Sequence, residues 1–306
     1  MKKNYYLSII LLVFIVIFSL SLNAQKSSSE KEKYVNHIGK IKDYAVFYGA
    51  EIPPSLKDLK GPVILDYGNL KNPNSIREIK MPICYLSLGE VNENDPALKT
   101  LPDECFFLEH GKRKGTIDPN WISYYVNAGC TDFKEYALKR TKFLLSNGCK
   151  GIFFDTVDTV DILPAAKEGM INLIKEIRAQ NPDTALVQNR GLNIISQTGS
   201  YVDVVMWESF ATYSGGNKRV FNKQDSDYYE AISKQIASFP RLNVFTLDYG
   251  LSNINEVHSL AKKFSYSINY IAPDASLRTV SFGTSTSYRT EVNVCKVNIA
   301  AARIGK

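Results

Sequence analysis

Short apolar runs alternate along the chain with stretches whose apolar positions recur at helical spacing. Most of the runs are apolar throughout, which is typical of strands buried on both faces. We predict strands over Tyr44–Tyr48, Val63–Asp66, Ile83–Glu90, Gly151–Asp155, Ala185–Asn189, Val202–Glu208, Asn243–Asp248 and Ser267–Ile271. We predict helices over Thr131–Ser146, Pro164–Ala179 and Asp227–Phe239. This alternation predicts an α/β fold, a single-domain (β/α)8 TIM-type barrel.

The alternative fold is an open, doubly wound sheet. Such a sheet should carry a glycine-rich phosphate loop after its first strand. The segment that follows the first predicted strand here, Gly49–Pro54, has the sequence GAEIPP and does not resemble one. The barrel is therefore the better prediction.

The N-terminus has the layout of a secretory signal peptide. Lys2 and Lys3 precede an apolar run from about residue 7 to 22, and Ala24 precedes a polar stretch. We expect cleavage after Ala24 and a secreted or periplasmic protein. The alternative is an uncleaved membrane anchor, although the run is short for a membrane span. We thus predict a signal peptide at 1–24, a polar linker at 25–42, the barrel at 43–280 and an extension at 281–306 that packs on the barrel.

Charge and cysteine content argue against several classes of protein. The formal net charge is +6, and loss of Lys2 and Lys3 with the leader removes two positive charges and leaves +4. No basic block of the kind found in nucleic-acid-binding proteins occurs. The chain has five cysteines, which allow one or two disulfides in an exported protein and leave a thiol over. Without CxxC or histidine ligand spacing, we expect no metal site, and we expect no cofactor.

Polar side chains, most of them acidic, lie at the ends of the predicted strands. They are Asp66, Glu90, Asp155, Asn189, Glu208 and Asp248. The strands of a barrel all end on one face, where the active sites of this fold lie. Aromatic residues that could stack on sugar rings accompany them: Tyr48, Tyr85, Trp207, Tyr213 and Tyr249. The pattern predicts a cleft that processes a polysaccharide, in a protein that we expect to be a monomer.

Asp155 and Glu208 are the candidates for catalysis. Each ends an apolar strand, where loss of hydration raises a carboxyl pKa as a general acid requires. Glycoside hydrolysis uses two carboxylates that flank the scissile bond. Taken singly, such residues have structural explanations: Asp66 could cap a helix and Trp207 could be ordinary barrel packing. Their convergence on one rim favours the functional interpretation.

Five motifs resemble glycoside hydrolase family 114 and occur in the order seen there. They are YAVFYG at Tyr44–Gly49, YLSLGEV at Tyr85–Val91, GIFFDTVD at Gly151–Asp158, QNRG at Gln188–Gly191 and WES at Trp207–Ser209. The family contains endo-α-1,4-polygalactosaminidases and is similar to family 166, the hydrolase domain of Pel exopolysaccharide proteins. The resemblance runs from about residue 44 to 273.

The resemblance implies a TIM-like barrel that cleaves internal α-1,4 links of galactosamine-rich exopolysaccharide. It implies that Asp155 is the nucleophile and Glu208 the acid/base. It also implies a cleft lined by Tyr48, Asp66, Glu90, Asn189, Arg190 and Asp248. We add Tyr85, Trp207 and Tyr249 as substrate-binding residues. An acid-rich cleft suits a cationic aminosugar polymer.

Two departures from the family leave the identity of the polymer open. Asp66 is followed by Tyr67-Gly68 instead of the Pro common there, and the loop 211–226 matches no motif. A catalytically silent barrel that binds glycan is the alternative from another class. A lyase or isomerase would need a metal cluster or a strand-end Lys, and none of the predicted strands ends in Lys.

Overall fold

Eight parallel strands form one curved sheet in which the spatial order follows the chain order. The strands are β1 (Ala45–Phe47), β2 (Val63–Leu65), β3 (Pro82–Ser87), β4 (Gly151–Asp155), β5 (Ala185–Asn189), β6 (Val204–Glu208), β7 (Asn243–Tyr249) and β8 (Ile268–Ala272). The sheet nearly closes, because the Tyr270 hydroxyl in β8 donates a hydrogen bond of 3.1 Å to the Val46 carbonyl in β1. The computed structural model thus has the (β/α)8 barrel architecture.

The structure describes residues 41, 43–116, 122–280 and 284–285. The predicted signal peptide, nearly all of the polar linker and most of the C-terminal extension lie outside these residues. Thr284–Ser285 from the extension pairs antiparallel with β8. None of the helices in the described part of the chain is both long and apolar enough to cross a membrane.

Four longer helices cover the outside of the sheet. They are α1 (Thr131–Ser146), α2 (Lys167–Gln180), α3 (Lys223–Ala237) and α4 (Ile254–Lys263). Shorter helical turns occupy Pro54–Asp58, Tyr67–Asn69, Pro73–Glu78, Ala97–Thr100, Asp103–Cys105, Thr159–Ile162, Pro164–Ala166, Leu192–Ile194, Ile195–Thr198 and Leu251–Asn253. The helices form because their apolar residues fall on one face, as Phe133, Ala137 and Leu144 do in α1. A capping box between Asn222 and Asp225 begins α3.

The core has two layers, one on each side of the sheet. Inside the barrel, Tyr44 stacks on Phe245 with a centroid distance of 4.5 Å. Outside it, Trp207 packs against Tyr229 of α3. Successive side chains of a strand point to opposite faces, so neighbouring residues such as Trp207 and Glu208 belong to different layers. This alternation decides which strand-end residues reach the mouth of the barrel.

The connection from β3 to α1 is long and carries its own secondary structure. Glu90–Asn92 pairs antiparallel with Ser123–Tyr125, and Leu108–Glu109 pairs with Lys112–Arg113. Two disulfides brace the region, one joining Cys84 in β3 to Cys149 before β4 and the other joining Cys105 to Cys130 before α1. The fifth cysteine, Cys295, lies outside the described residues.

The eight predicted strands are all present, with ends that differ from the prediction by at most two residues except at the end of the third strand. The third was predicted to reach Glu90 but ends at Ser87. The Gly89 N–H donates instead to the Thr156 hydroxyl, at 2.8 Å, and Glu90 opens the separate antiparallel pair. The prediction of Glu90 as a barrel strand end was therefore wrong.

Candidate active site

Three neighbouring strands, β4, β5 and β6, end in side chains that bond to one another. The Asn189 amide nitrogen donates to Asp155 Oδ1 at 2.8 Å and to Glu208 Oε2 at 2.6 Å. Because both bonds share one nitrogen, these two carboxylate oxygens lie at most 5.4 Å apart, the sum of 2.8 and 2.6 Å. The predicted catalytic pair therefore forms one unit with Asn189.

The residue after each of these three side chains has left-handed backbone geometry. The φ angles are 57° at Thr156, 52° at Arg190 and 54° at Ser209. Non-glycine residues rarely adopt this conformation, which costs on the order of 1–3 kcal/mol at each position and is concentrated at functional sites. The turn ends each strand immediately after its functional side chain.

The pKa of Asp155 is strongly perturbed. Burial, followed by the nearby charge of Glu208, raises this pKa to about 7, while hydrogen bonds from Asn189 and the Thr156 N–H oppose the rise. The Glu208 charge disfavours a second negative charge this close to it, so Asp155 holds its proton more tightly. A group that is half protonated near neutral pH can take part in acid–base chemistry.

Tyrosines surround the two carboxylates. The Tyr249 hydroxyl donates a short hydrogen bond to Glu208 Oε1, so both Glu208 oxygens accept a bond. Burial and the Glu208 charge raise the pKa of Tyr249, which keeps it a donor. Tyr48 and Tyr85 meet edge to face at 5.6 Å, and burial and the charge of Asp155 raise the pKa of both phenols.

The remaining predicted charged residues form their bonds with groups outside the bridged pair. Asp66 caps the turn Tyr67–Asn69 by accepting from the Gly68 N–H at 2.9 Å, and burial raises its pKa. Glu90 accepts from the Ser123 hydroxyl at 2.5 Å, and burial raises its pKa as well. Arg190 forms an ion pair of 2.9 Å with Asp158.

Trp207 is not placed to bind substrate, which corrects the sequence prediction. Its side chain is 3% exposed and lies in the outer core layer. The ring contacts Phe210, Tyr229 and Tyr266, with centroids 5.3, 4.4 and 6.2 Å away. Since Glu208 points into the barrel, the preceding residue on the strand must point out.

Asp248 is also misplaced by the sequence prediction. It has no solvent exposure and lies one residue before Tyr249, which faces the barrel interior. Its Oδ1 accepts from the backbone N–H groups of Ala211 and Thr212, at 2.7 and 2.9 Å. Burial raises the pKa of Asp248 to about 6, against the effect of these bonds. It therefore bonds to a loop and does not line the cleft.

Two hydroxyl residues of the site were missing from the sequence prediction. The hydroxyls of Ser87 and Thr156 bond to each other at 2.8 Å, and Ser87 donates to the Glu90 carbonyl at 2.6 Å. They join the end of β3 to the end of β4. The signal was available, because Ser87 is the register partner of Asp155 and Thr156 belongs to the same motif.

One group among the described residues has the composition of a metal site. The ligand atoms of Cys105, Cys130 and Asp132 lie within 4.8 Å of one another. The two sulfurs are joined in a disulfide, and a disulfide sulfur is not the thiolate that binds metals. These residues do not fit a metal.

Comparison with known proteins places this geometry in context. The chain is similar in structure to the glycoside hydrolase domain of PelA from Pseudomonas aeruginosa, with 20% identity and a TM-score of 0.61 over 79% of this chain and 97% of that one. It is similar to Ega3 from Aspergillus fumigatus, solved in complex with galactosamine, with 18% identity and a TM-score of 0.59 over 77% and 92%. An α-galactosidase from Thermus thermophilus shares 11% identity and a TM-score of 0.51 over 76% and 57%. At these identities the likeness shows the barrel fold.

Sequence comparison identifies the family. No curated protein sequence that was compared matches the chain. The model of glycoside hydrolase family GH114 matches residues 67–290, which is most of the chain and includes barrel strands β3 to β8. The matched segment includes the pair Asp155 and Glu208. The chain belongs to glycoside hydrolase family GH114, and it is a glycoside hydrolase.

Proposed function

We propose that this enzyme hydrolyses internal α-1,4 links of a galactosamine-rich exopolysaccharide and retains the anomeric configuration. The observation that carries the proposal is the Asn189 bridge, which holds Asp155 and Glu208 oxygens within 5.4 Å, the sum of 2.8 and 2.6 Å. Carboxyl groups about 5–5.5 Å apart belong to retaining glycosidases, while inverting enzymes need about 6.5–9.5 Å to admit a water. The bound on the bridged oxygens lies below the separation that an inverting enzyme needs.

The proposed reaction has two steps. Following the family resemblance, Asp155 attacks the anomeric carbon while Glu208 protonates the leaving oxygen, and a glycosyl ester forms on Asp155. Glu208 then removes a proton from water, which hydrolyses the ester. Because the pKa of Asp155 is about 7 in the free enzyme, Asp155 must lose its proton before it attacks.

The acidic residues at the barrel opening support the proposal that the substrate is a cationic aminosugar polymer. The catalytic pair, Asp66 and Glu90 lie around the opening, and burial raises the pKa of Asp66 and of Glu90, although the Arg140 charge opposes the rise at Asp66. The Arg190 guanidinium is paired with Asp158. An ammonium group would relieve the repulsion among these acids.

We also propose that the enzyme works outside the cytoplasm. The apolar run near the N-terminus is typical of an export signal. The disulfides Cys84–Cys149 and Cys105–Cys130 support this location, because such bonds persist in oxidising compartments.

The test measures reducing ends released from partly deacetylated galactosamine polymer. The purified enzyme is compared with Asp155→Asn and Glu208→Gln, and Asp227→Asn on the exposed face of α3 serves as the matched control. We expect both site variants to lose at least about a thousandfold in rate, since each removes a group needed in the transition state. Binding of the polymer without cleavage by wild type would favour the silent glycan-binding barrel. Absence of both would eliminate this substrate.

Configuration and roles need separate measurements. Proton NMR of the first products should show α reducing ends if configuration is retained. Azide added to Asp155→Ala should yield a β-glycosyl azide if Asp155 is the nucleophile, and azide added to Glu208→Ala should then yield the α-anomer. The reverse pattern would assign the nucleophile to Glu208.

A further inference from the structure

Asp248 is a carboxylate with no solvent exposure, one residue away from the active-site Tyr249. We infer that Asp248 is a positioning residue that holds Glu208 and Tyr249 in their catalytic arrangement through Thr212. The inference rests on the proposed function for its catalytic consequence. The bonding that it describes can be tested without that function.

One carboxylate oxygen of Asp248 takes three hydrogen bonds. Its Oδ1 accepts from the Ala211 N–H at 2.7 Å, the Thr212 N–H at 2.9 Å and the Thr212 hydroxyl at 3.1 Å. Its Oδ2 is buried without a hydrogen-bond partner among the described residues. A buried carboxylate is costly and is retained only where its acceptor capacity matters. Here that capacity is used on the loop that follows Glu208.

Thr212 connects Asp248 to the backbone of Tyr249 in β7. The Tyr249 N–H donates to the Thr212 hydroxyl oxygen at 2.8 Å. A backbone N–H can only donate, so the hydroxyl must use its own proton for Asp248. The direction of each bond is therefore set, and an acceptor is required at position 248.

Both ends of the network reach the catalytic acid. Ala211 lies three residues after Glu208, and the Ser209 N–H between them donates to the Leu247 carbonyl at 2.7 Å. Tyr249, whose N–H meets Thr212, donates from its phenol to Glu208. A shift of the loop would thus move the carboxylate and its hydrogen-bond donor together.

Among the described residues, Arg219 is the charged group that acts most strongly on Asp248, and the phenols of Tyr44 and Tyr229 lie near enough to feel the carboxylate charge. The Arg219 Nε donates to the Ser209 carbonyl at 2.7 Å, so this cation braces the same loop. Arg219 therefore reinforces the anchor without replacing the acceptor.

The experiment compares Asp248→Ala, which removes the acceptor, with Thr212→Val and the conservative Thr212→Ser in the full enzyme. We expect Asp248→Ala and Thr212→Val to lower kcat by about tenfold or more with KM within about twofold, because the loss falls on the catalytic step. Thr212→Ser should restore most of kcat. The double variant Asp248→Ala/Thr212→Val should be about as slow as the slower single variant, as for residues of one network.

Two further readouts separate positioning from general stability. Like Tyr249→Phe, Asp248→Ala should move the basic limb of the pH–rate profile to higher pH, because that limb reports loss of the proton from the general acid, and a carboxyl group that loses a donor binds its proton more tightly. Amide hydrogen exchange should show faster exchange at Ala211, Thr212 and Tyr249 in Asp248→Ala.

Each outcome decides the inference. A variant with a lower melting temperature but unchanged kcat and pH profile would show Asp248 to be merely structural. Unchanged exchange at the three amides would show that Asp248 does not hold the loop in place. If wild type fails to cleave the polymer, the proposed function falls, while amide exchange still decides whether Asp248 holds the loop.

Discussion

Replacing Asp155 by Asn should make the protein more stable while abolishing its activity. Folding raises the pKa of Asp155 from an ordinary value of 3.8 to about 7, chiefly through burial and the charge of Glu208. The native state therefore binds this proton more tightly than the unfolded state. Stability falls as pH rises through the interval from about 4 to about 7, and the full penalty applies above it.

The size of the effect follows from the two pKa values. A rise from 3.8 to about 7 corresponds to about 4 kcal/mol of destabilisation at pH 8. This is an upper bound, because Asp155 keeps partial exposure at the barrel mouth. Asn retains an acceptor for Asn189 but loses one accepted bond, worth about 1 kcal/mol. We therefore expect Asp155→Asn to gain up to about 3 kcal/mol at pH 8.

The assay is urea unfolding followed by fluorescence at pH 8 and at pH 3.5. The gain should be present at pH 8 and absent at pH 3.5, where the carboxyl is protonated in both states. Asp227→Asn, on the exposed surface of α3, is the control and should change little at either pH. If Asp155→Asn is no more stable than wild type at pH 8, or if it gains the same free energy of unfolding at both pH values, then the Asp155 carboxylate does not destabilise the folded protein as proposed.

Three further outcomes follow from the contacts. Tyr249→Phe removes a donor to the Glu208 carboxylate and should lower kcat/KM by roughly 10–150-fold, from about 1.5–3 kcal/mol, in polymer cleavage assays; activity within twofold of wild type would contradict this. Trp207→Phe should lower the free energy of unfolding by about 1–3 kcal/mol through a core cavity, yet leave KM unchanged; a raised KM would indicate that Trp207 contacts the substrate. Replacing Cys84 and Cys149 by Ala opens a crosslink between residues 65 apart and should cost about 2–4 kcal/mol by thermal unfolding, with kcat at 25 °C retained.

The barrel itself was predictable because its signals are local. A continuous apolar run that ends in a polar residue already describes a strand that leaves the core at one face, as in Gly151–Asp155 and Ala185–Asn189, which have the predicted bounds. The helical spacing of Thr131–Ser146 predicted α1 with its observed bounds. The motifs around Asp155 and Glu208 likewise indicated the family from the sequence alone.

Errors arose where a residue's role depends on which face it occupies. Trp207 and Asp248 were assigned to the cleft because they lie at strand ends beside Glu208 and Tyr249. A displacement of one residue along a strand reverses the direction of the side chain. The two side chains consequently lie in the outer layer, and the alternation along β6 and β7 could have shown this once Glu208 was placed inside.

The sequence alone determined that this chain forms eight strands, several of which end in polar side chains, since hydrophobic periodicity is a property of neighbouring residues. Only the tertiary structure decided that Asn189 bridges Asp155 and Glu208, residues 34 and 19 positions away. It also decided the pairing of four cysteines. Hydrogen-bond and disulfide geometry depends on distances across the barrel, and local sequence patterns do not encode those distances.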